Sequence, residues 1–259
     1  MNARADIDLV LPCYNPPSDW EERVATHFHE VERLFSPVRF HLFIVSDGSR
    51  RGYEPETIDR LRQLIPNVCV VDYKPNRGKG YALSRAFALA GAKGYRHAIT
   101  LDADGQHYPD EIPRFVKVME EHPGALIVGS RSLEQENMPR ENTFANRFSN
   151  FWFTLQTFER LPDTQTGYRL YPLYRMQKMR FFTNRYETEL EILVRLAWKG
   201  IPVIPLPIKV FYAPAGERVT HFRKGRDFLR ISLLNTVLTM TALAYGYPSI
   251  LLHKWFKRS

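Results

Sequence analysis

The chain has 259 residues, of which 44% are hydrophobic and 25% are charged. These proportions are ordinary for a globular protein and argue against a disordered chain, and the length suits one large domain or one domain with an appendage. The formal net charge of +8 indicates an anionic partner, which can be nucleic acid, an anionic membrane surface or a phosphorylated substrate.

The beginning of the chain and its cysteines indicate a cytosolic protein. Residues 1–6 lead into a predicted strand without the hydrophobic region of a signal peptide. Cys13 and Cys69 lie in apolar, strand-like contexts and do not suggest a disulfide framework. We therefore expect both to be small buried side chains in a reducing cytosol.

The first hundred residues alternate between short apolar runs, typical of strands, and amphipathic segments, typical of helices. The predicted strands are Ile7–Pro12, Phe40–Val45, Val68–Tyr73 and His97–Leu101. Of the helices between them, the first is capped by Ser18 or Asp19, the second spans Glu56–Ile65 and the third ends near Ala92. This alternation indicates right-handed crossovers between parallel strands. The sequence therefore predicts an α/β fold with a single Rossmann-like, mostly parallel sheet flanked by helices.

Polar side chains follow three of these strand ends. Asn15 follows the first strand, Asp47 the second, and Asp102 with Asp104 the fourth. In a parallel sheet these ends meet at one rim, so the side chains are expected to share one crevice. Each is also a common helix cap or turn former, but together they favour a site.

A glycine-rich turn adds a cation to the same rim. Gly78-Lys79-Gly80 opens the third helix and can present backbone N–H groups and an ammonium to phosphate. Neither the dinucleotide-binding fingerprint nor the P-loop spacing is met, so a simple glycine turn is the alternative.

The segment Asp102-Ala103-Asp104-Gly105-Gln106-His107 carries the metal prediction. Two carboxylates separated by one small residue, with an amide two positions later, can give three oxygen ligands to one hard divalent cation. The alternative is a solvated acidic turn, but the position after a buried strand at mid-chain favours the cation. We predict that Asp102, Asp104 and Gln106 bind Mg²⁺ or Mn²⁺ and, through it, a diphosphate.

The rest of the chain continues as helices and strands. The prediction is helix Pro109–Glu121, strand Ala125–Arg131, a polar irregular segment Glu134–Glu141, helix Thr143–Phe158, helix Glu187–Lys199 and a proline-interrupted extended stretch Ile201–Tyr212. Residues 231–252 carry no charge and are flanked by basic residues, but polar residues dilute them below a convincing transmembrane helix. We therefore predict a domain of residues 1–225 and a basic, amphipathic helical segment of residues 226–259, interfacial or packed on the domain.

The order of these motifs resembles family 2 glycosyltransferases of the GT-A fold, most closely the branch typified by dolichol-phosphate mannosyltransferase. The matching motifs are Pro12-x-Tyr14-Asn15, Asp47-Gly48-Ser49, Asn76-Arg77-Gly78-Lys79-Gly80, Asp102–His107, Gly129-Ser130-Arg131, Asp163-x-x-Thr166-Gly167-Tyr168-Arg169, and Glu191-Ile192-Leu193 nine residues before Gly200. The chain departs from the family pattern at Pro16 and Arg51, which replace acidic residues, and in the loop that begins at Arg218, which matches in part.

The resemblance implies an inverting transfer from a nucleoside-diphosphate sugar, either GDP-mannose or a UDP-hexose, to a lipid-linked acceptor. The residues assigned to the nucleotide sugar are Pro12, Tyr14, Asn15, Asp47, Lys79, Asp102, Ala103, Asp104 and Arg218. A polyprenyl-phosphate acceptor is already anionic and needs only orientation. The resemblance assigns this orienting role to Arg131, and we add Arg140 as a second candidate.

A hydroxyl acceptor, such as that of a glycolipid, requires a general base. Asp163 is our first candidate for that base and Glu191 the second. Both carboxylates can instead be partners of buried arginines, for which Arg169 and Arg195 are the candidates.

Two other classes of function compete with the enzyme. A non-catalytic nucleotide-sugar or membrane-binding module on the same scaffold is the alternative. Nucleic-acid binding is not favoured, because no basic helix, zinc pattern or aromatic-basic RNA motif occurs. The basic residues beside the uncharged stretch instead suit an anionic inner leaflet, so we expect a cytoplasmic protein that is peripheral at the membrane.

Overall fold

One mixed sheet of seven strands forms the centre of the computed structural model, which describes residues 7–16, 18–35, 40–102, 106–131, 140–211 and 224–256. Its strands are β1 Ile7–Cys13, β2 Phe40–Asp47, β3 Cys69–Tyr73, β4 His97–Thr100, β5 Leu126–Arg131, β6 Arg169–Pro172 and β7 Val203–Ile208, in the order β3-β2-β1-β4-β6-β5-β7. Every pair of neighbours is parallel except those of β6, which is antiparallel to β4 and β5. The predicted mostly parallel sheet is confirmed.

Helices cover both faces of the sheet. They are α1 Trp20–Phe35, α2 Pro55–Leu64, α3 Lys79–Ala92, α4 Ile112–Glu121 after a 3₁₀ turn Pro109–Glu111, α5 Arg140–Thr157, α6 Leu173–Met176, α7 Glu187–Trp198, α8 Lys224–Thr241 and α9 Tyr247–Phe256, with a π-helical turn Ala242–Gly246 between the last two. On β2, Leu42 and Ile44 face the core shared with α1, α2 and α4, whereas Phe43 and Val45 face the core shared with α3 and α7.

Helix α1 and strand β7 lie where the sequence predicts a capped helix and an extended stretch. Helix α1 begins at Trp20, because Asp19 has a φ of 60°, outside the right-handed helical region. The extended stretch after Gly200 forms a strand only over Val203–Ile208. That strand contains two prolines and, among the described strands, pairs only with β5. An edge strand tolerates proline because its outer N–H groups need no partner. The predicted irregular segment lies mostly outside the described residues.

The C-terminal helical segment packs one face on the domain. Leu234, Leu238 and Ala242 are buried, and Gln156 of α5 donates hydrogen bonds to the backbone and side-chain oxygens of Asn235. Within the part of the chain that the structure describes, Gly225–Phe256 is the one helix that is long and apolar enough to cross a membrane by length and composition. The predicted boundary at residues 225 and 226 falls in the first turn of α8.

The π-helical turn packs closely against Trp198 of α7. A Cβ atom at Gly246 would lie 2.5 Å from Nε1 of Trp198, so glycine permits the approach. The same tryptophan donates from Nε1 to the carbonyl of Gln156, and its own carbonyl accepts from the hydroxyl of Ser249. These contacts fix the helical segment along the domain surface.

Candidate active site

The loops that follow β1 and β2 are joined by hydrogen bonds. The side-chain oxygen of Asn15 accepts from the backbone N–H of Arg50 at 2.8 Å, and the backbone N–H of Asn15 donates to Oγ of Ser49 at 3.0 Å. The same end of the sheet carries Pro12, which lies in β1, and Tyr14, which directly follows β1. The predicted convergence of the first two strand ends is therefore present in the fold.

The carboxylate of Asp47 holds the loop after β3. It accepts hydrogen bonds of 2.7–3.0 Å from the backbone N–H groups of Arg77 and Gly78, the amide of Asn76 and the hydroxyl of Tyr73. Burial raises the pKa of Asp47, and these hydrogen bonds oppose the rise. Gly48 has a φ of 69°, and a Cβ atom there would collide with the backbone nitrogen of Asn76. Asp47 thus positions the glycine-rich turn that presents Lys79.

Lys79 lies between two carboxylates. Its Nζ is 2.5 Å from Oδ1 of Asp102 and 2.9 Å from Oε2 of Glu189. Burial alone would lower the pKa of Lys79, but the charges of the two carboxylates raise it above its ordinary value. Burial would likewise raise the pKa of Asp102, but the Lys79 charge, with smaller contributions from His107 and Arg131, holds it below 3.8. The site therefore contains an ionised Asp102 and a charged Lys79.

Gly167 is required by the close approach of the chain to this ion pair. A Cβ atom at Gly167 would lie 2.6 Å from Oδ1 of Asp102 and 2.7 Å from Nζ of Lys79, and still closer to the other oxygen of Asp102. The hydroxyl of Thr100 donates to the carbonyl of Gly167 at 2.6 Å. The glycine of the Thr166-Gly167-Tyr168 motif therefore lets the segment before β6 reach the end of β4.

His107 anchors the far end of the predicted metal segment. Its Nδ1 accepts a hydrogen bond of 3.1 Å from the backbone N–H of Asp102, and its ring packs against Tyr168. Burial lowers the pKa of His107 to about 4, so the ring is neutral. The carbonyl of Gln106 accepts from the N–H of Phe211. Sequence reasoning did not assign this role to His107, although the residue was part of the motif.

The predicted metal ligands are described only in part. Ala103 and Asp104 lie outside the described residues, whereas Asp102 and Gln106 lie within them. Among the described residues, no group of three or more His, Cys, Asp or Glu side chains is placed to hold a metal. Asp102 is an ionised carboxylate in a mostly buried site, and it already pairs with the cationic Lys79. Such an oxygen ligand suits a hard divalent cation.

Asp163 is paired with Arg131 at the end of β5. Nε and Nη2 of Arg131 donate to the two carboxylate oxygens at 2.6 and 3.0 Å. Asp163 also accepts hydrogen bonds from the amide of Asn146 and the backbone N–H groups of Arg131, Gln165 and Thr166. Burial would raise the pKa of Asp163, but the Arg131 guanidinium and these donors hold it below 3.8. Such a carboxylate is a weak base, and its geometry fixes the guanidinium of Arg131.

Glu191 is ion-paired with Arg195, which is the alternative to its use as a general base. Its carboxylate lies 2.5 Å from Nη1 of Arg195 and accepts from the backbone N–H groups of Phe182 and Thr183. The residue of α7 that reaches Lys79 is Glu189, which sequence reasoning missed. Its only sequence signal is the spacing of acidic residues at 187, 189 and 191.

The remaining predicted residues are placed as follows. Arg169 is fully buried and donates to the backbone carbonyls of Thr164, Thr166 and Glu189. Arg218 and the side chain of Arg140 lie outside the described residues.

Comparison with known proteins identifies relatives that act on polyprenyl phosphates. The UDP-N-acetylglucosamine–dolichyl-phosphate N-acetylglucosaminyltransferase of Methanococcus voltae is 27% identical over 226 residues, which cover 80% of this chain and 86% of that protein. The polyprenol monophosphomannose synthase of Mycolicibacterium smegmatis is 24% identical over 208 residues, which cover 77% of this chain and 75% of that protein. These relatives confirm the resemblance to the dolichol-phosphate mannosyltransferase branch.

The fold is also that of solved glycosyltransferases. Glucosyl-3-phosphoglycerate synthase from Mycobacterium tuberculosis, solved in complex with Mn²⁺, uridine diphosphate and phosphoglyceric acid, matches with a TM-score of 0.58 and 17% identity over 93% of this chain and 78% of that chain. This match confirms the GT-A fold. The family model described as glycosyl transferase family 2 matches residues 8–181. The chain therefore belongs to glycosyl transferase family 2.

Proposed function

We propose that the protein is a metal-dependent, inverting glycosyltransferase that moves a sugar from a nucleoside-diphosphate sugar to a polyprenyl phosphate at the cytoplasmic face of a membrane. The observation that carries this proposal is the pairing of Arg131 with a fully hydrogen-bonded Asp163. This pair offers a fixed guanidinium and no good general base, which suits an acceptor that is already anionic.

On the donor side, Asp102 with Asp104 and Gln106 would hold Mg²⁺ or Mn²⁺. When bound, the cation supplies Lewis-acid stabilisation of the diphosphate leaving group. Lys79 adds a second positive charge beside Asp102, and Arg218 is proposed to close over the diphosphate. The donor base and sugar stay open between GDP-mannose and a UDP-hexose. The solved synthase was crystallised with Mn²⁺ and uridine diphosphate, which supports a divalent cation and a nucleoside diphosphate as ligands of this fold.

On the acceptor side, Arg131 would orient the polyprenyl phosphate, with Arg140 as a second contact. An acceptor oxygen attacks the anomeric carbon as the bond from that carbon to the diphosphate oxygen breaks, and the configuration inverts. No proton has to be removed, because the attacking oxygen is already negatively charged. The charge of Arg131 contributes to lowering the pKa of Asp102, which supports an acceptor site next to the donor site.

The exposed face of the C-terminal helical segment would contact the membrane. Leu229, Leu233, Met240 and Trp255 are 65–74% exposed on the segment whose opposite face packs on the domain. Arg226 and Lys254, near its two ends, are exposed as well. A helix with an apolar face and basic residues, held along a domain surface, suits an anionic leaflet in which it lies parallel to the surface.

A non-catalytic module on the same scaffold is the alternative. It would bind donor and membrane without transferring sugar, and slow release of free sugar from the donor in the presence of Mn²⁺ would contradict it.

Substitution of Asp163→Asn tests the acceptor side. The variant keeps the shape of the side chain but loses the ion pair that orients Arg131, and misplacement of a reacting group by about 1 Å can cost about 100-fold in rate. We expect kcat/KM for polyprenyl phosphate to fall by about that factor, while donor affinity is unchanged. The exposed Asp110→Asn is the matched control and should have no effect. Full activity of the Asp163 variant, or equal loss of donor binding, would contradict the assignment.

Removal of the metal ligands tests the donor side. In a thermal-shift panel of GDP- and UDP-sugars with and without Mn²⁺, the cognate donor should stabilise the protein only with the metal. A donor present at 100 times its Kd adds about 2.7 kcal/mol, which is several degrees in Tm. Asp104→Ala and Asp102→Asn should abolish this shift and the transfer of sugar, with far-UV circular dichroism showing that both variants fold. A metal-dependent shift retained in both variants would disprove the metal site.

Substitutions on the exposed apolar face test membrane contact. Leu233→Asp combined with Met240→Asp should reduce co-sedimentation with phosphatidylglycerol-containing vesicles at least about tenfold, since each exposed apolar side chain withdrawn from lipid costs about 1.5 kcal/mol or more. Leu34→Asp, at an exposed leucine of α1, is the control and should bind as the wild type does. Unchanged vesicle binding of the double variant would refute contact through this face.

A further inference from the structure

The ammonium of Lys79 is ion-paired with Asp102, the carboxylate to which the proposed cation would bind. It lies 2.5 Å from one oxygen of Asp102, and only 14% of its side chain is exposed. A divalent cation bound to the same carboxylate would repel a positive charge at that distance, and a mostly buried site screens the repulsion weakly. Lys79 therefore has to move away from Asp102 when the cation binds, and it needs another acceptor within reach.

Glu189 is placed to be that acceptor. Its Oε2 is already 2.9 Å from Nζ of Lys79, and only 8% of its side chain is exposed. Its second oxygen, Oε1, is buried and has no hydrogen-bond partner among the residues that the structure describes. A buried carboxylate oxygen without a donor is costly, and the hydrogen bond that Lys79 gives up at Asp102 would satisfy it.

The surrounding structure holds Glu189 and Lys79 at a fixed separation. The carbonyl of Glu189 accepts a hydrogen bond of 2.7 Å from Nη1 of the buried Arg169. Helices α3 and α7 touch where Gly80 meets Thr188, since a Cβ atom at Gly80 would overlap with the threonine side chain. The backbones of Lys79 and Glu189 therefore stay close together while the Lys79 ammonium moves from Asp102 to Glu189.

We propose that Glu189 is a positioning residue that takes over the ammonium of Lys79 when a divalent cation binds Asp102, and thereby sets the affinity of the free protein for that cation. This inference rests on the proposed function, which places the divalent cation on Asp102. Glu189 acts through Lys79, so its effect on the cation depends on the presence of the lysine. Glu187, two residues earlier, makes no ion pair with Lys79 in the described part of the chain.

The test is a double-mutant cycle on Mn²⁺ binding without any donor, with free Mn²⁺ measured by electron paramagnetic resonance on the full chain. Glu189→Gln should weaken binding about three- to tenfold, within the range of coupling between contacting residues. Lys79→Gln should strengthen it, because the competing ammonium is gone. Adding Glu189→Gln to Lys79→Gln should then change the affinity by less than about twofold.

Two further variants separate this role from a general effect of charge. Glu187→Gln removes the same charge from the same turn of α7, and its effect should be the same with and without Lys79. Glu189→Asp keeps the charge but shortens the reach to Lys79, and it should weaken Mn²⁺ binding only when the lysine is present. This variant also serves if Glu189→Gln does not fold, as judged by its thermal melt.

The outcomes distinguish this proposal from the proposed function. If Glu189→Gln weakens Mn²⁺ binding equally in the wild type and in Lys79→Gln, the negative charge of Glu189 acts on the cation directly and not through Lys79. That result would overturn the proposal and leave the cation site intact. If the wild-type chain does not bind Mn²⁺, or binds it independently of Asp104, the cation site and this proposal both fail.

Discussion

A charged side chain is costly to bury unless it is paired or fully hydrogen-bonded, and Lys79 and Arg131 are mostly buried cations in the described part of the crevice at the strand ends. Each is matched by carboxylates that come from other parts of the chain: Asp102 and Glu189 for the lysine, and Asp163 for the arginine. These pairs join the end of β4 to α3 and α7, and the end of β5 to the segment before β6. The charge pairing therefore explains why residues so distant in sequence share one crevice.

The two pairs differ in a way that bears on chemistry. The Asp163 carboxylate is filled by donors on both oxygens, so it can hold a guanidinium but is a poor acceptor for a proton. The Asp102 carboxylate has the ammonium of Lys79 as its ion-pair partner, which we propose a metal ion displaces. In the proposed function, the first pair orients an anionic acceptor and the second receives a cation and a diphosphate. The polyprenyl-phosphate relatives support a lipid-linked acceptor for this chain.

The sequence was sufficient for the sheet and for the shared rim, because strand periodicity and parallel crossovers follow from local pattern. It was not sufficient for β6, a four-residue strand that contains the buried Arg169 and is antiparallel to both neighbours. It also named Glu191 of α7 as a candidate base and did not identify Glu189, which faces Lys79. Both residues are buried, so hydrophobic pattern could not tell which would face the crevice and which would pair with Arg195. That choice depends on how α7 packs against α3.

We propose that the acceptor is a phosphate and that the enzyme needs no general base. Transfer of labelled sugar should be measured with two acceptors of equal chain length, a polyprenyl phosphate and the corresponding polyprenol, in the presence of Mn²⁺ and the donor chosen by thermal shift. We expect transfer to the phosphate at a rate at least about 100-fold above transfer to the alcohol, since a neutral hydroxyl lacks the base it requires. Comparable or faster transfer to the alcohol, lost on substitution of Asp163, would disprove a phosphate acceptor and restore Asp163 as the base.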